Sequence, residues 1–268
     1  KSDFLIEPGY TYLNAAYTHP IPKVALEAVR RAAEGRASLP PLTPSAGGRG
    51  GTPANPKALF ADLINAKPSE IAYVSSTSAG ENLVVQALDL HRRFDGNVVT
   101  DGLHFEGALL HLLELKKLGL DVRIVKPTKD FRIDIRDLER VVNKQTRLVE
   151  VSSASMYNGF QHGLKAVCEL AHANGAYVYA DIIHSAGAEP FDVKASGVDF
   201  AACSTFKWTC RTASTCLWRT VSRRPRPACS KAARSRAGST RPNPRGSDPA
   251  SGATPRTRNQ NPGAMPDR

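Results

Sequence analysis

Two residues in the middle of the chain have the type and the setting for one piece of chemistry. Asp181 closes the apolar run 176–181, and Lys207 lies just past the apolar run 200–203. A carboxylate at the carboxyl end of a buried strand faces the crevice where α/β sheets take their ligands, and there it can hold a proton on a pyridine nitrogen. A lysine beyond the next strand reaches the same crevice. If desolvated or flanked by a cation, its amine has a lowered pKa and forms a Schiff base with an aldehyde. An imine-forming lysine and a partner for an electron-sink nitrogen are what a protein contributes to pyridoxal-phosphate chemistry. Each residue alone has a commoner use, the aspartate as a helix cap and the lysine as a solvated loop residue. It is the pair that points to this chemistry, with His184 three residues after Asp181 and Ser204 three residues before Lys207.

The elements that must position them can be read from periodicity. Apolar runs at 71–75, 97–100, 122–126, 147–152, 176–181 and 200–203 are predicted strands. Between them, Leu and Val recur at three- and four-residue spacing over 23–36, 56–64, 81–92, 107–118, 135–142 and 165–174, which are predicted helices. Asn174-Gly175 is a natural helix stop. The alternation predicts an α/β fold with a mostly parallel sheet flanked by helices. Residues 76–82, Ser-Thr-Ser-Ala-Gly-Glu-Asn, fall between a strand and a helix, where free amides and the positive end of the helix dipole favour a phosphate. An ordinary helix cap accounts for the same residues equally well.

Taken in order, Asp181, His184, Asp199-Phe200 and Ser204-Thr205-Phe206-Lys207 resemble the class V aminotransferase family. These are fold-type I pyridoxal-phosphate enzymes, among them cysteine desulfurases, isopenicillin-epimerase-like and kynureninase-like enzymes. The resemblance runs over about residues 9 to 208 and includes Tyr12-Leu13-Asn14-Ala15-Ala16, followed by Pro20-Ile21-Pro22, as the family's opening stretch near the substrate. It implies pyridoxal 5'-phosphate as cofactor, an amino acid as substrate and a homodimer as the assembly. By the same resemblance Lys207 carries the cofactor as a Schiff base and then serves as proton-transfer base, and Asp181 holds the ring nitrogen. Thr77, Ser78 and Ser204 contact the phosphate. Asn158 and His184 lie by the ring oxygen, and His104 stacks on the ring, with Phe105 as the alternative. Transamination, racemisation and elimination or desulfuration all stay open. Three departures stand beside these matches. Phe206 precedes Lys207 where some members have His, and Thr209-Cys210-Arg211-Thr212 stands where a glycine-rich segment is expected. The family's small carboxy-terminal domain, with its substrate-binding Arg, has no counterpart in the sequence.

The chain has 268 residues, 41% of them hydrophobic, enough for one large domain. No run of eighteen apolar residues appears and the first residues carry no signal-peptide pattern, so a cytoplasmic protein without a membrane span is expected. The five cysteines form no C-x-x-C pair, which predicts reduced thiols and no metal site. The net charge of +11 sits entirely in residues 209–268, which hold twelve Arg and one Lys against two Asp. Residues 1–208 are therefore predicted to be the cofactor-binding domain. Residues 209–268, rich in Arg, Pro and Ser without apolar periodicity, are predicted to be a disordered basic tail or the product of a shifted reading frame. Two other readings follow from that tail. The chain is an inactive truncated remnant of such an enzyme, or its tail binds nucleic acid; the absence of interleaved aromatic residues speaks against the second.

Overall fold

Apolar strands and amphipathic helices alternate along the chain to build one seven-stranded sheet covered by helices on both faces. The computed structural model describes residues 2–38, 55–92, 94–208 and 215–219. In chain order the helices are α1 (Lys23–Ala37), α2 (Pro56–Leu63), α3 (Thr77–Ala87), α4 (Glu106–Lys117), α5 (Ile135–Val141), α6 (Leu164–Ala173) and the single turn α7 (Val193–Ser196). The strands are β1 (Ile71–Val74), β2 (Asn97–Asp101), β3 (Asp121–Val125), β4 (Thr146–Ser152), β5 (Tyr177–Asp181), β6 (Phe200–Ser204) and β7 (Thr215–Arg219). They lie in the order β1-β7-β6-β5-β4-β2-β3, and β7 alone is antiparallel to its neighbours.

Every strand and helix expected from periodicity is present within a few residues of its expected bounds. The largest shift is in α3, expected from 81 and observed from Thr77. Its start is set by Ser76, whose Oγ accepts a hydrogen bond from the Ala79 amide at 3.0 Å. Gly175, with φ of 82°, ends α6 in the left-handed region as expected.

The expectation that the folded body stops at 208 is corrected by β7. This strand sits between β1 and β6 and pairs with both. Cys216 and Trp218 are buried in it, and the Trp218 indole donates to Glu70 Oε2 at 3.4 Å. Three apolar positions among Arg, Ser and Thr are too few to register as a periodic signal, yet they fill the slot that would otherwise be an open sheet edge. Cys216 is thus a core residue rather than part of a tail. Residues 209–214 and 220–268, including Cys210, Cys229 and the basic run at 223–227, lie outside the described residues.

The sheet separates two cores. On one face α3 and α4 press Val84, Val85, Leu112 and Leu115 onto Val98, Leu148 and Ala202. On the other, α2, α5 and α6 pack Phe60, Ile64, Leu138, Val167 and Ala171 against Val149, Val151, Val178, Ala180 and Ala201. α3 approaches closely because residue 80 is glycine. A Cβ there would stand 3.3 Å from the Ala202 Cβ and 3.4 Å from Leu217 Cδ1. α1 buries no residue and leaves Val24, Leu26 and Val29 exposed. Among the described residues no helix is long and apolar enough to cross a membrane.

Candidate functional site

A cavity of about 400 Å³ opens where β4, β5 and β6 end. Parallel strands bring their carboxyl ends to one edge of the sheet, so the last residue of each strand and the first residues of the following loop meet there. Ser152 ends β4, Asp181 ends β5 and Ser204 ends β6, and all three line the cavity with His184 and Lys207. The amino-terminal turn of α3, with Ser76, Thr77 and Ser78, closes a second side, and Phe105 and Glu106 at the start of α4 a third. Tyr17 and Thr18 also line it. They follow directly on the Tyr-Leu-Asn-Ala-Ala stretch and are fixed by the His19 amide, which donates to the Phe206 carbonyl at 3.1 Å, and by the Tyr12 hydroxyl, which donates to the Thr18 carbonyl at 2.6 Å.

The charges are arranged by burial. Asp181 is 4% exposed, and its Oδ1 accepts from the Ile183 amide at 3.0 Å. Burial raises its pKa to about 6, against the opposing pull of that amide and of Lys207. At neutral pH it is ionised. Burial also lowers the Lys207 amine, with Asp181 acting in the other direction. The amine lies 3.0 Å from His184 Nε2. Burial, and then the Lys207 charge, hold His184 down at about 4, so the imidazole is neutral and its Nε2 accepts from the ammonium. Cys203 lies beneath this group, buried, with its thiol pushed above the range in which it ionises.

Six of the expected residues therefore come together in one cavity: Thr77, Ser78, Asp181, His184, Ser204 and Lys207. Two do not. His104 is 0% exposed and does not reach the cavity. Its Nδ1 lies 2.8 Å from Ser152 Oγ, which also accepts from the Phe105 amide at 3.2 Å. Burial lowers the pKa of His104, so the ring is neutral and is held by its hydrogen bond with Ser152. His104 thus holds the turn that presents Phe105, and Phe105 is the ring at the cavity wall. Of the two rings considered for this place, Phe105 lines the cavity and His104 does not. A Cβ at Gly107 would stand 2.5 Å from Phe105 Cε1, so glycine at that position leaves room for the ring where it lies.

Asn158 is likewise outside the cavity. Its Nδ2 donates to the Phe131 carbonyl at 2.8 Å and its Oδ1 accepts from the Phe160 amide at 3.0 Å. It is exposed and ties loops together instead of lining the cavity, where Ser152 and Met156 of the same segment stand. Sequence reasoning also missed Ser152 and Tyr17. Ser152 carried a usable signal as the last residue of a buried strand, like Asp181 and Ser204. Tyr17 carried none, because a loop residue's approach to the cavity depends on tertiary contacts. Among the described residues no group of His, Cys, Asp and Glu could hold a metal ion.

The family model described as Aminotransferase class-V matches residues 45–217, so the match reaches into β7. A probable cysteine desulfurase of Methanothermobacter thermautotrophicus is 34% identical over 149 residues, covering 56% of this chain and 37% of that protein. Cysteine desulfurase IscS of Anaeromyxobacter sp. (strain K) is 29% identical over 148 residues, with 55% and 37% covered. The chain therefore spans little more than a third of the length of these relatives. Among solved structures, the apo cysteine desulfurase from Thermococcus onnurineus NA1 superposes with a TM-score of 0.67 at 26% identity, covering 82% of this chain and 56% of that one. The cysteine desulfurase CsdA from Escherichia coli, at 21% identity and a TM-score of 0.68, shares the fold.

Proposed function

This chain belongs to the class-V aminotransferase family, and from that premise we propose that its cavity binds pyridoxal 5'-phosphate, with Lys207 as the covalent attachment point, for a reaction at the alpha carbon of an amino acid. Members of the family use this cofactor. The residues present fit it. The phosphate is assigned to the amino-terminal turn of α3, where Thr77 and Ser78 offer amides and hydroxyls, and to Ser204 opposite. Asp181, ionised and buried, suits a protonated ring nitrogen, and Phe105 offers a ring face. When bound, the cofactor supplies an electron sink for a bond at the substrate's alpha carbon.

The chain's own residues supply the rest. Lowering of the Lys207 pKa raises the share of free amine, which serves first as nucleophile and then as proton-transfer base. Neutral His184, 3.0 Å away, accepts a hydrogen bond from the ammonium and steers the amine. Asp181 keeps its charge at neutral pH and so favours a proton on its partner nitrogen. The relatives named as cysteine desulfurases make cysteine the first substrate to offer. A second copy of this chain is the partner the reading implies, and light scattering checks it.

The observation that carries the proposal is the Lys207 amine, partly buried and held beside His184 in the cavity that also contains Asp181 and the start of α3. The test is an absorbance spectrum of the purified chain mixed with pyridoxal phosphate, then borohydride reduction and peptide mapping. Label is expected on Lys207 and none in Lys207→Ala. A folded sample that takes up no label, or takes it elsewhere, overturns the proposal.

A further inference from the structure

Beneath the cavity the sheet carries acidic side chains that the proposed reaction does not use. Glu150 lies in β4 two residues before Ser152, on the same face as Ser152 and Asp181, because side chains alternate along a strand. It is 0% exposed, and neither carboxyl oxygen has a hydrogen-bond partner among the described residues. Its registered neighbour on β5 is Tyr179, 1% exposed. On the β2 side stands Thr100, whose buried hydroxyl also has no partner. From α3 comes Glu81, 2% exposed, with its Oε1 3.0 Å from Nδ1 of His111 on α4. The His111 side chain is 27% exposed and so links the group to solvent.

Two carboxylates in so dry a place do not both ionise. Glu81 has a partner and Glu150 has none, so the proton stays on Glu150. Burial, and then the charge on Glu81, push Glu150 well above the ordinary glutamate value of 4.5. We propose that Glu81 and Glu150 are positioning residues for the site: a buried acid pair in which Glu150 keeps its proton and Glu81 acts on Asp181. The positioning role rests on the reading of the cavity given above; the proton on Glu150 does not. The groups facing the pair are His111 from α4, Tyr179 and Asp181 from β5, and His104 from the loop before α4, with Lys207 acting on Asp181 from beyond β6. The charge on Glu81 raises Asp181, so a proton is taken up and released there at a higher pH than the other contacts alone would set.

The test uses the whole chain and needs no cofactor. Denaturant unfolding is followed against pH for wild type and Glu150→Gln. The folded protein holds a proton that the unfolded chain releases above the ordinary glutamate value. From about pH 5 upward the folding equilibrium constant of wild type is therefore expected to fall relative to Glu150→Gln, by up to about tenfold per pH unit. Parallel curves overturn the proton on Glu150. Should Glu150→Gln fail to fold, the infrared spectrum of Asp181→Asn decides: a protonated carboxyl band persisting well above the ordinary glutamate value of 4.5 is expected, and its absence overturns the claim. A carbon NMR titration of the Asp181 carboxyl, assigned with Asp181→Asn, tests the positioning role. Its midpoint is expected at about 6 in wild type, unchanged in Glu150→Gln and lower in Glu81→Gln. An equal midpoint in wild type and Glu81→Gln overturns that role. Failure to bind pyridoxal phosphate would count against the cavity reading alone and would leave both measurements standing.

Discussion

The central strands present two unlike faces to the helices that cover them. Toward α2, α5 and α6, β4 turns Val149 and Val151, β5 turns Val178 and Ala180, and β6 turns Ala201 and Cys203, all of them buried. Toward α3 and α4 the same strands turn Leu148, Tyr179 and Phe200, and beyond them Glu150, Ser152, Asp181 and Ser204. Parallel sheets covered on both sides are ordinarily apolar on both. Polar side chains here are tolerated on one face only, toward the strand ends, where they find a cavity, a helix amino terminus or each other. The apolar face holds the sheet together, and the polar face gives up stability for a site.

The largest effect expected from that contrast lies on the apolar face. Trp218 of β7 is 3% exposed there, and Trp218→Ala should cost about 3–5 kcal/mol in denaturant unfolding. A change near zero would remove β7 from the sheet, and with it the extension of the fold past residue 208. On the polar face the sign reverses. Glu150 contributes two buried oxygens without partners, so Glu150→Met should stabilise the chain by about 1–3 kcal/mol. A loss of stability would mean that the carboxyl finds partners, ordered water included, and that the two faces are less different than the side chains suggest.

Much of this was legible in the sequence, and the failures share a cause. Strand and helix positions follow from local periodicity, and Asp181, Ser204 and Lys207 follow from their places at strand ends. β7 escaped because Cys216-Leu217-Trp218 is too short a run to stand out from its surroundings. His104 and Asn158 escaped because neighbouring loop residues cannot be ranked by type alone. Which of His104 and Phe105 faces the cavity is settled by Ser152, forty-eight residues from His104, through a single hydroxyl. The value of Glu150 as an acid is likewise invisible locally, since its neighbour Glu81 comes from another element.

A smaller effect sharpens the account of that turn. Gly107→Ala places a Cβ where the Phe105 ring now lies, and the ring is free to swing into the cavity. An aromatic contact is worth about 0.5–1.5 kcal/mol, so binding of pyridoxal phosphate should weaken by up to about tenfold. Folding stability should hardly change, since alanine suits a helix better than glycine does. Unaltered binding would mean that Phe105 contributes nothing to the cofactor.

The smallest effect concerns the two groups whose burial acts in opposite directions. His184 titrates at about 4 instead of 6.5, so its contribution to stability is present above 6.5 and is lost as pH falls through 4. Asp181 titrates at about 6 instead of 3.8, so its contribution is present below 3.8 and is lost as pH rises through 6. Between those limits the two slopes oppose each other in wild type. His184→Asn removes the rising one, and its stability should decline with pH more steeply than that of wild type between about pH 4 and pH 6.5. Other titrating groups are common to both proteins and cancel in the difference. His184 is only partly buried, so solvent screens it, and the gap should stay below about tenfold in the folding constant. A variant whose curve runs parallel to wild type would place His184 in water, and would leave the Lys207 amine without the neutral acceptor that the polar face provides.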